Sequence, residues 1–125
     1  MSEGVKAFLF KIDGTFERVE FNSYKEIGAL LNTDMWTTAC RKFNGKHFNI
    51  YLDDLGLYRE QPVITAVKTN CSERLVGNLL LTVMDGRGGD ISLTEEDFKR
   101  LEDSVILLNT WDDDHWEQSR VLVYD

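Results

Sequence analysis

Few side chains in this sequence are of the types that perform nucleophilic or acid–base chemistry near neutral pH. The chain has two histidines, His47 and His115, and two cysteines, Cys40 and Cys71. A cysteine beside a histidine could act as a nucleophile and its base. However, Cys40 follows Ala39 in a predicted strand, where small buried cysteines are common, and no oxyanion-hole motif can be read nearby. We expect no catalytic residues, and an enzyme is the least favoured function.

Four consecutive residues, Asp112, Asp113, Asp114 and His115, combine carboxylates with an imidazole. Both groups are common metal ligands. Consecutive residues rarely converge on one ion, however, and no second set of ligands is defined beside them. We therefore interpret the cluster as a solvated acidic turn that follows a helix, and we predict neither a metal site nor a cofactor.

A glycine-rich segment at residues 85–90 lies between a predicted strand and a predicted helix, and its Arg87 could pair with an anion. The segment matches neither glycine-rich nucleotide-binding pattern, and Asp85 and Asp90 would repel a phosphate. It also lacks the alternating oxygen ligands of a calcium loop. We favour a flexible connector and keep Arg87 as a candidate ligand-binding residue.

The three tryptophans, Trp36, Trp111 and Trp116, lie at predicted element boundaries beside polar residues. Tryptophan offers a large contact area at low entropic cost, so these residues could line a pocket or anchor a partner. The alternative, which we favour, is that they close the ends of a small core, because tryptophan is highly buried on average.

Two β-hairpins are predicted in the first half of the chain. Residues 5–12 and 15–21 flank Asp13 and Gly14, a pair typical of a two-residue turn in which both residues have positive φ. The predicted core face of the first strand carries Phe8, Phe10 and Ile12.

The second hairpin joins residues 37–43 to residues 46–52 through Asn44 and Gly45. Its second strand alternates apolar with polar residues, which is typical of a half-buried strand. The apolar members are Phe48, Ile50 and Leu52, and the polar or amphipathic ones are His47, Asn49 and Tyr51.

Two helices are predicted from their starts. Ser23 and Glu26 have the spacing of a capping box, in which each side chain bonds to the other residue's backbone N–H. Thr94 is the predicted N-cap of the second helix, with Leu93 and Phe98 at the positions of a hydrophobic staple. Asp97 follows Thr94 by three residues.

The remaining segments complete the predicted architecture. Residues 75–84 are apolar on both faces and predict a central strand. Residues 63–68 fit a strand or a helical turn, and residues 121–124 fit a last, edge strand. The buried stripe of the second helix is predicted to continue to Val105 and Leu108. We expect one α+β domain over residues 1–125, with an antiparallel or mixed sheet of about five strands, two main helices packed against it, and an acidic segment from about residue 110.

The net charge of −8 is unevenly distributed. Residues 1–62 carry eight Lys and Arg against nine Asp and Glu, whereas residues 63–125 carry six against thirteen. Phosphate binding depends on clustered Lys and Arg, so we expect no direct nucleic-acid or anionic-membrane binding. The chain has no signal-peptide pattern and no apolar stretch of the ~20 residues that cross a bilayer. We expect a cytoplasmic protein whose partner could have a basic surface.

Four features follow one another along the chain: residues 51–56 (YLDDLG), Ala66, residues 76–80 (VGNLL) and residues 92–98 (SLTEEDF). This order resembles an uncharacterised family, a numbered domain of unknown function, found in bacteriophages, plasmids and large DNA viruses. The resemblance implies a short domain that begins with a β-hairpin and a helix. It also implies an accessory role in a virus or mobile element, in the host cytoplasm. It assigns no activity and no residue roles.

The predicted function is therefore a non-catalytic binding or host-modulating accessory protein with a protein partner. One alternative is a protein that sequesters a small, nucleotide-like ligand, for which Trp36, Arg87 and Trp111 are candidates. A second alternative is an acidic mimic of DNA. Its candidate carboxylates belong to Glu95, Glu96, Asp97, Glu102, Asp103 and Asp112 to Asp114. The same carboxylates could simply complement a helix dipole and keep the protein soluble, since Lys99 and Arg100 interrupt the run. The oligomeric state is left open.

Overall fold

The computed structural model describes residues 4–54, 63–70, 72–84, 86–87, 89–112 and 115–125. These residues form two helices and ten strands. The helices are α1 (Lys25–Leu31) and α2 (Glu95–Glu102). The strands are β1 (Val5–Phe10), β2 (Phe16–Phe21), β3 (Trp36–Phe43), β4 (Lys46–Asp53), β5 (Ile64–Lys68), β6 (Arg74–Val76), β7 (Leu79–Met84), β8 (Asp90–Ile91), β9 (Val105–Asp112) and β10 (His115–Tyr124).

The strands form two sheets. Sheet A has the order β2-β1-β7-β4-β3, with the short β8 paired to β7, and all of its pairs are antiparallel. Sheet B has the order β6-β5-β10-β9 and contains one parallel pair, β5 with β10. The α+β class is thus confirmed, but the prediction of about five strands is wrong. Much of sheet B comes from segments that the sequence pattern assigned to a helix or left undecided.

Two apolar layers hold these elements together. The larger layer fills the space between the two sheets and includes the buried side chains of α2, such as Phe98 and Leu101. The smaller layer lies on the other face of sheet A, where Ile27 and Leu31 of α1 pack against Leu9 and Leu80. Sheet A is therefore covered on both faces, by sheet B and α2 on one side and by α1 on the other.

The first hairpin has a longer turn than predicted. Lys11 N donates to Thr15 O at 2.9 Å and Gly14 N donates to Lys11 O at 3.0 Å, which encloses a three-residue loop. Of Asp13 and Gly14, Gly14 alone has a positive φ, of 83°. This is the type I turn with a left-handed glycine that suits three-residue loops. Ile12 consequently lies in the turn and is 53% exposed, so its predicted core position is wrong.

The second hairpin matches its prediction at the turn. Asn44 and Gly45 have φ values of 49° and 90°, as a two-residue type I′ turn requires. Its second strand is not half-buried, however. Asn49 and Tyr51 of β4 are buried as well as Phe48 and Ile50, because the second face of sheet A is also covered.

The helix starts follow the predicted capping chemistry to different extents. In α2 the box is complete: Asp97 N donates to Thr94 Oγ1 at 3.1 Å, and Thr94 N donates to Asp97 Oδ2 at 3.0 Å. In α1 only half of the box forms. Ser23 N donates to Glu26 Oε2 at 2.9 Å, whereas Ser23 Oγ accepts from Lys25 N. The helix N-cap is Tyr24, one residue later than predicted.

The predicted strand at residues 75–84 is two strands. Gly77 has a φ of 81° and separates β6 in sheet B from β7 in sheet A. β7 itself matches the prediction, because it pairs with β1 on one side and β4 on the other, and its residues 79–82 are buried. The undecided segment at residues 63–68 forms β5.

The end of the chain differs most from the sequence interpretation. Helix α2 stops at Glu102, so Val105 and Leu108 belong to β9 and not to a helical stripe. Asp112 and His115, which were interpreted as part of a solvated turn after a helix, are paired strand residues at the end of β9 and the start of β10; Asp113 and Asp114 lie outside the described residues. The predicted edge strand is also internal, since β10 lies between β5 and β9.

Candidate binding surface

An open groove of about 830 Å³ lies between the β1–β2 turn and sheet B. Three of its lining residues are apolar and exposed: Ile12 at 53%, Val63 at 38% and Leu107 at 56%. The groove is also lined by Asp13, Gly14, Thr15, Ile64, Gln118, Ser119 and Arg120. We call it the turn groove. Exposed apolar side chains gathered in one place are typical of an interaction surface.

The strand register explains why Leu107 is exposed. Leu107 of β9 lies directly opposite Arg120 of β10, and two residues along the ladder Val105 lies opposite Leu122. Residues two apart in a strand share a face, and Leu122 is buried in the layer between the sheets. Leu107 and Arg120 therefore lie on the inner face of sheet B. At this position the inner face is opposite the β1–β2 turn and not opposite sheet A.

Gly14 brings the turn close to sheet B. A Cβ atom at this position would lie 3.2 Å from the Cβ of Arg120, and the φ of +83° also favours glycine. A glycine at position 14 therefore lets the β1–β2 turn lie close to Arg120 of β10.

The two charged side chains of the turn groove, Asp13 and Arg120, differ in whether they have bonding partners within the described structure. The Asp13 carboxylate accepts from Thr15 N at 2.9 Å and from Thr15 Oγ1 at 2.5 Å. These hydrogen bonds lower the pKa of Asp13. Among the contacts of the described residues, Arg120 makes no ion pair, and its side chain is exposed. Its guanidinium can therefore bind an acceptor from outside.

Beside the turn groove, β9 forms one edge of sheet B, and no other described strand pairs with its outer side. Val123 N donates to Ser104 O at 2.9 Å, so the backbone of Ser104 points toward β10. Hydrogen-bonding direction alternates along an antiparallel strand. The backbone groups of Val105, Leu107 and Asn109 consequently point outward, away from β10.

The structure brings together some of the binding residues predicted from sequence. Trp111 and Trp116 are directly opposite each other in the β9–β10 ladder, and Asp112 is opposite His115. Trp111 lies four residues beyond Leu107 in the same strand. The side chains of Trp111, Asp112 and Trp116 lie outside the described part of the structure. Asp113 and Asp114 lie outside the described residues altogether.

Trp36 and Arg87 lie elsewhere. The Trp36 ring is half-buried and packs edge-on against Tyr51, with ring centroids 5.1 Å apart. It lines a smaller depression of about 420 Å³ against α1. Arg87 is exposed in the connection between β7 and β8. Trp36 is in sheet A and Trp111 in sheet B, so they do not share a strand ladder.

The carboxylates of α2 are balanced by nearby cations. Arg18 of β2 lies 2.8 Å from Glu95 and 3.5 Å from Glu102, and Lys46 of β4 lies 2.6 Å from the buried Asp97. Glu96 pairs with Arg100 in the same helix at 3.4 Å. An arrangement of alternating charges resembles a phosphate backbone poorly, so the geometry of α2 lends no support to DNA mimicry.

Asp90 is an internal anchor that the sequence interpretation placed in a flexible loop. It lies in β8, and its carboxylate accepts from Asn49 Nδ2 at 3.1 Å, from Thr82 Oγ1 at 2.7 Å and from the Tyr51 hydroxyl. Burial and the Asp90 carboxylate raise the pKa of Tyr51. The role of Asp90 could have been predicted from the polar residues Asn49, Tyr51 and Thr82 in the two central strands β4 and β7, since buried polar groups need hydrogen-bond partners.

The predicted burial of Cys40 is wrong, because its side chain is exposed in β3. Cys40 lies opposite Asn49, and His47 lies opposite Lys42. No hydrogen bond between Cys40 and His47 is found among the described side chains. Cys71 lies outside the described residues.

Within the described ranges, no group of three or more metal-ligating side chains converges. No helix in the described part of the chain is long and apolar enough to cross a membrane. No protein-family model, curated protein or solved structure matches this chain.

The residues of the turn groove were not found from the sequence. Ile12 was assigned to the core, and Leu107 was given no role, because the predicted helical stripe contained its neighbours Val105 and Leu108 instead. Arg120 gave no signal by itself, because its importance depends on the strand that lies opposite it. The adjacency of Ile12 to a turn dipeptide is the one local sign of its exposure.

Proposed function

We propose that this protein is a non-catalytic binding module that holds a segment of a partner protein at the turn groove and the adjoining edge of β9. One observation carries the proposal: three exposed apolar side chains and one arginine without an ion pair among the described residues line a single groove beside an unpaired strand edge. Burying Ile12, Val63 and Leu107 would contribute about 1 kcal/mol each to association.

For the biological setting we propose what the sequence resemblance to the phage, plasmid and viral domain family implies. In that setting the protein acts as an accessory factor that modulates a host protein in the host cytoplasm. The net charge of −8 supports a partner with a basic surface, because opposite charges speed association and exclude other partners.

A second candidate function is the sequestration of a small anionic ligand, with a nucleotide-like molecule as one example. The volume of the turn groove, about 830 Å³, lies in the range of small-molecule sites, and Arg120 supplies a cation. The same groove thus serves both candidates, and Arg120, not Arg87, is the residue we assign to the anion.

The test compares two surface substitutions. Met84 is exposed at 45% and lies at the far end of sheet A from Ile12, because the register pairs Leu79 with Phe10. We expect immobilised wild-type protein and the Met84→Lys variant to capture the same partner from a host lysate. The Leu107→Lys variant is expected to lose that partner at least ten-fold.

Two outcomes decide between the candidates. Equal capture by wild type and Leu107→Lys would contradict a role for the turn groove in partner binding. Native mass spectrometry of the freshly purified protein tests the second candidate. A bound small anion that is lost in the Arg120→Ala variant would replace the protein partner as the ligand of the groove.

A further inference from the structure

In the described part of the chain, the outermost strands of the two strand orders are β2, β3, β6 and β9, and all of these except β9 carry features that prevent further strand pairing. β2 includes Glu17, Arg18 and Glu20, β3 includes Arg41 and Lys42, and β6 is three residues long. Charged residues and short length are the usual protections of sheet edges.

β9 lacks these protections. It is eight residues long, begins with Val105, Ile106, Leu107 and Leu108, and has no charged residue or proline before Asp112. Ile106 and Leu107 are both exposed, and they lie on opposite faces of the strand. An added strand would therefore find an apolar side chain on each face.

The outward backbone groups of Val105, Leu107 and Asn109 give the positions at which such a strand would bond. Ile106 and Leu108 already point toward β10. Backbone bonds of this kind supply affinity in strand addition, while side-chain contacts supply specificity.

We propose that an extended segment of another protein, with alternating apolar and basic side chains, adds to sheet B as a fifth strand along the outer edge of β9. This rests on the proposed binding function and names its mode and partner chemistry. One face of the added strand would bring apolar side chains beside Leu107 and the turn groove. The other face, which carries the basic side chains, would lie on the side of Ile106, where the aliphatic stems of Lys and Arg can pack against it.

The negative charge of this protein favours a basic partner strand over a second copy of the same chain. Residues 63–125 carry six Lys and Arg against thirteen Asp and Glu, and Asp112, Asp113 and Asp114 begin four residues after Leu108. Two copies would bring together two chains of net charge −8, and β9 contains no basic residue that could offset the repulsion. A basic strand is instead attracted by the acidic second half of the chain.

The experiment uses the full chain and a phage-displayed library of random twelve-residue peptides. We expect selection to enrich peptides in which Val, Ile or Leu alternate with Lys or Arg. Replacing the basic residues of a selected peptide with Glu should weaken binding at least ten-fold. Recovery of no binding peptide, or of acidic ones, would overturn the proposal.

Amide hydrogen exchange of the protein provides the second readout. A saturating amount of the selected peptide should slow exchange at Leu107 and Asn109 at least ten-fold, with little change at Ile106 and Leu108, which already bond to β10. Unchanged exchange at Leu107 and Asn109 would exclude strand addition. If Leu107→Lys nevertheless abolished partner capture, the binding function of the turn groove would stand without it.

Two variants at one position separate backbone from side chain. Leu107→Ala keeps the outward N–H, whereas Leu107→Pro removes it without removing a bond to β10. We expect Leu107→Pro to bind the selected peptide at least ten-fold more weakly than Leu107→Ala; equal binding would contradict the proposal. Asn109→Pro repeats the test if Leu107→Pro fails to fold. Concentration-dependent protection of Leu107 and Asn109 without peptide would identify a second copy as the occupant instead.

Discussion

Lys46 of β4 and Asp97 of α2 are fifty-one residues apart in sequence, and their Nζ and Oδ1 atoms lie 2.6 Å apart. The same carboxylate accepts from the backbone N–H of Thr94 and so completes the helix cap. Asp97 is buried, whereas Lys46 remains partly exposed. The Asp97 carboxylate thus caps the N-terminus of α2 and links the helix to sheet A through its ion pair with Lys46.

The first prediction concerns the stability that this carboxylate provides. Asp97→Ala removes the reciprocal cap and the bond from Lys46, and we expect a loss of about 2 kcal/mol in the free energy of unfolding. The matched control is Glu95→Ala, because Glu95 pairs with Arg18 while 83% of its side chain is exposed. That variant should lose less than about 0.5 kcal/mol. Urea denaturation at pH 7 measures both, and equal losses would contradict the assignment.

The second prediction is the pH dependence of the same contribution. Burial raises the pKa of Asp97, but hydrogen bonds from Lys46 and Thr94 outweigh it and hold the pKa below its ordinary value of 3.8. Because the pKa is lower in the folded state, the contribution is complete above pH 3.8 and is lost as the pH falls through the folded-state pKa. The stability difference between wild type and Asp97→Ala should be constant from pH 7 to about pH 5 and then narrow. A difference that persists unchanged at pH 2 would show that the charge of Asp97 is irrelevant.

The third prediction tests Asp90 as an internal anchor. Asp90→Ala leaves the donors of Asn49, Thr82 and Tyr51 without their acceptor, and we expect a loss of about 2–3 kcal/mol. In a Tyr51→Phe background one of those donors is already absent, so the further loss on Asp90→Ala should be smaller by about 1 kcal/mol. Denaturant unfolding of the four proteins of this cycle gives the coupling directly. Additive losses would mean that Tyr51 and Asp90 act independently.

The fourth prediction isolates the close approach of the β1–β2 turn to β10. Gly14 and Gly86 have nearly the same φ, +83° and +84°, but only a Cβ at Gly14 would have neighbours within 4 Å, and these belong to Arg120. Both alanine variants pay the strain of a left-handed residue, about 1–2 kcal/mol. Gly14→Ala should be the more destabilising, by about 0.5–1 kcal/mol, because Arg120 must also shift. Equal thermal unfolding temperatures of the Gly14→Ala and Gly86→Ala variants would show that Arg120 accommodates the added methyl group without cost.

The sequence correctly predicted those parts of the fold whose conformation is determined by residues close together in the chain. The dipeptide Asn44-Gly45 determines its own turn, and Thr94 with Asp97 forms a cap inside one helical turn. The prediction of β9 was wrong because Val105 and Leu108 continue the helical spacing of Phe98 and Leu101, although the chain leaves the helix at Asp103. Local spacing could not show that this apolar run has a strand partner further along the chain.

The candidate site was out of reach for the same reason. Leu107 and Arg120 become neighbours only through the register of β9 with β10, and Ile12 joins them only through the packing of the β1–β2 turn on sheet B. The tryptophans were chosen for their chemistry, and two of them, Trp111 and Trp116, do lie opposite each other in that same ladder.

The position of β7 has a consequence for how the protein folds. Sheet A consists of two local hairpins, β1–β2 and β3–β4, and β7 joins them by pairing with β1 and β4. Local hairpins close in microseconds, whereas strands distant in sequence must first overcome the entropy of a long loop. The insertion of β7 is therefore the step at which we place the folding barrier. Until it occurs, β1 and β4 each expose an open edge, and the speed of this single strand sets how long the nascent molecule is vulnerable to aggregation.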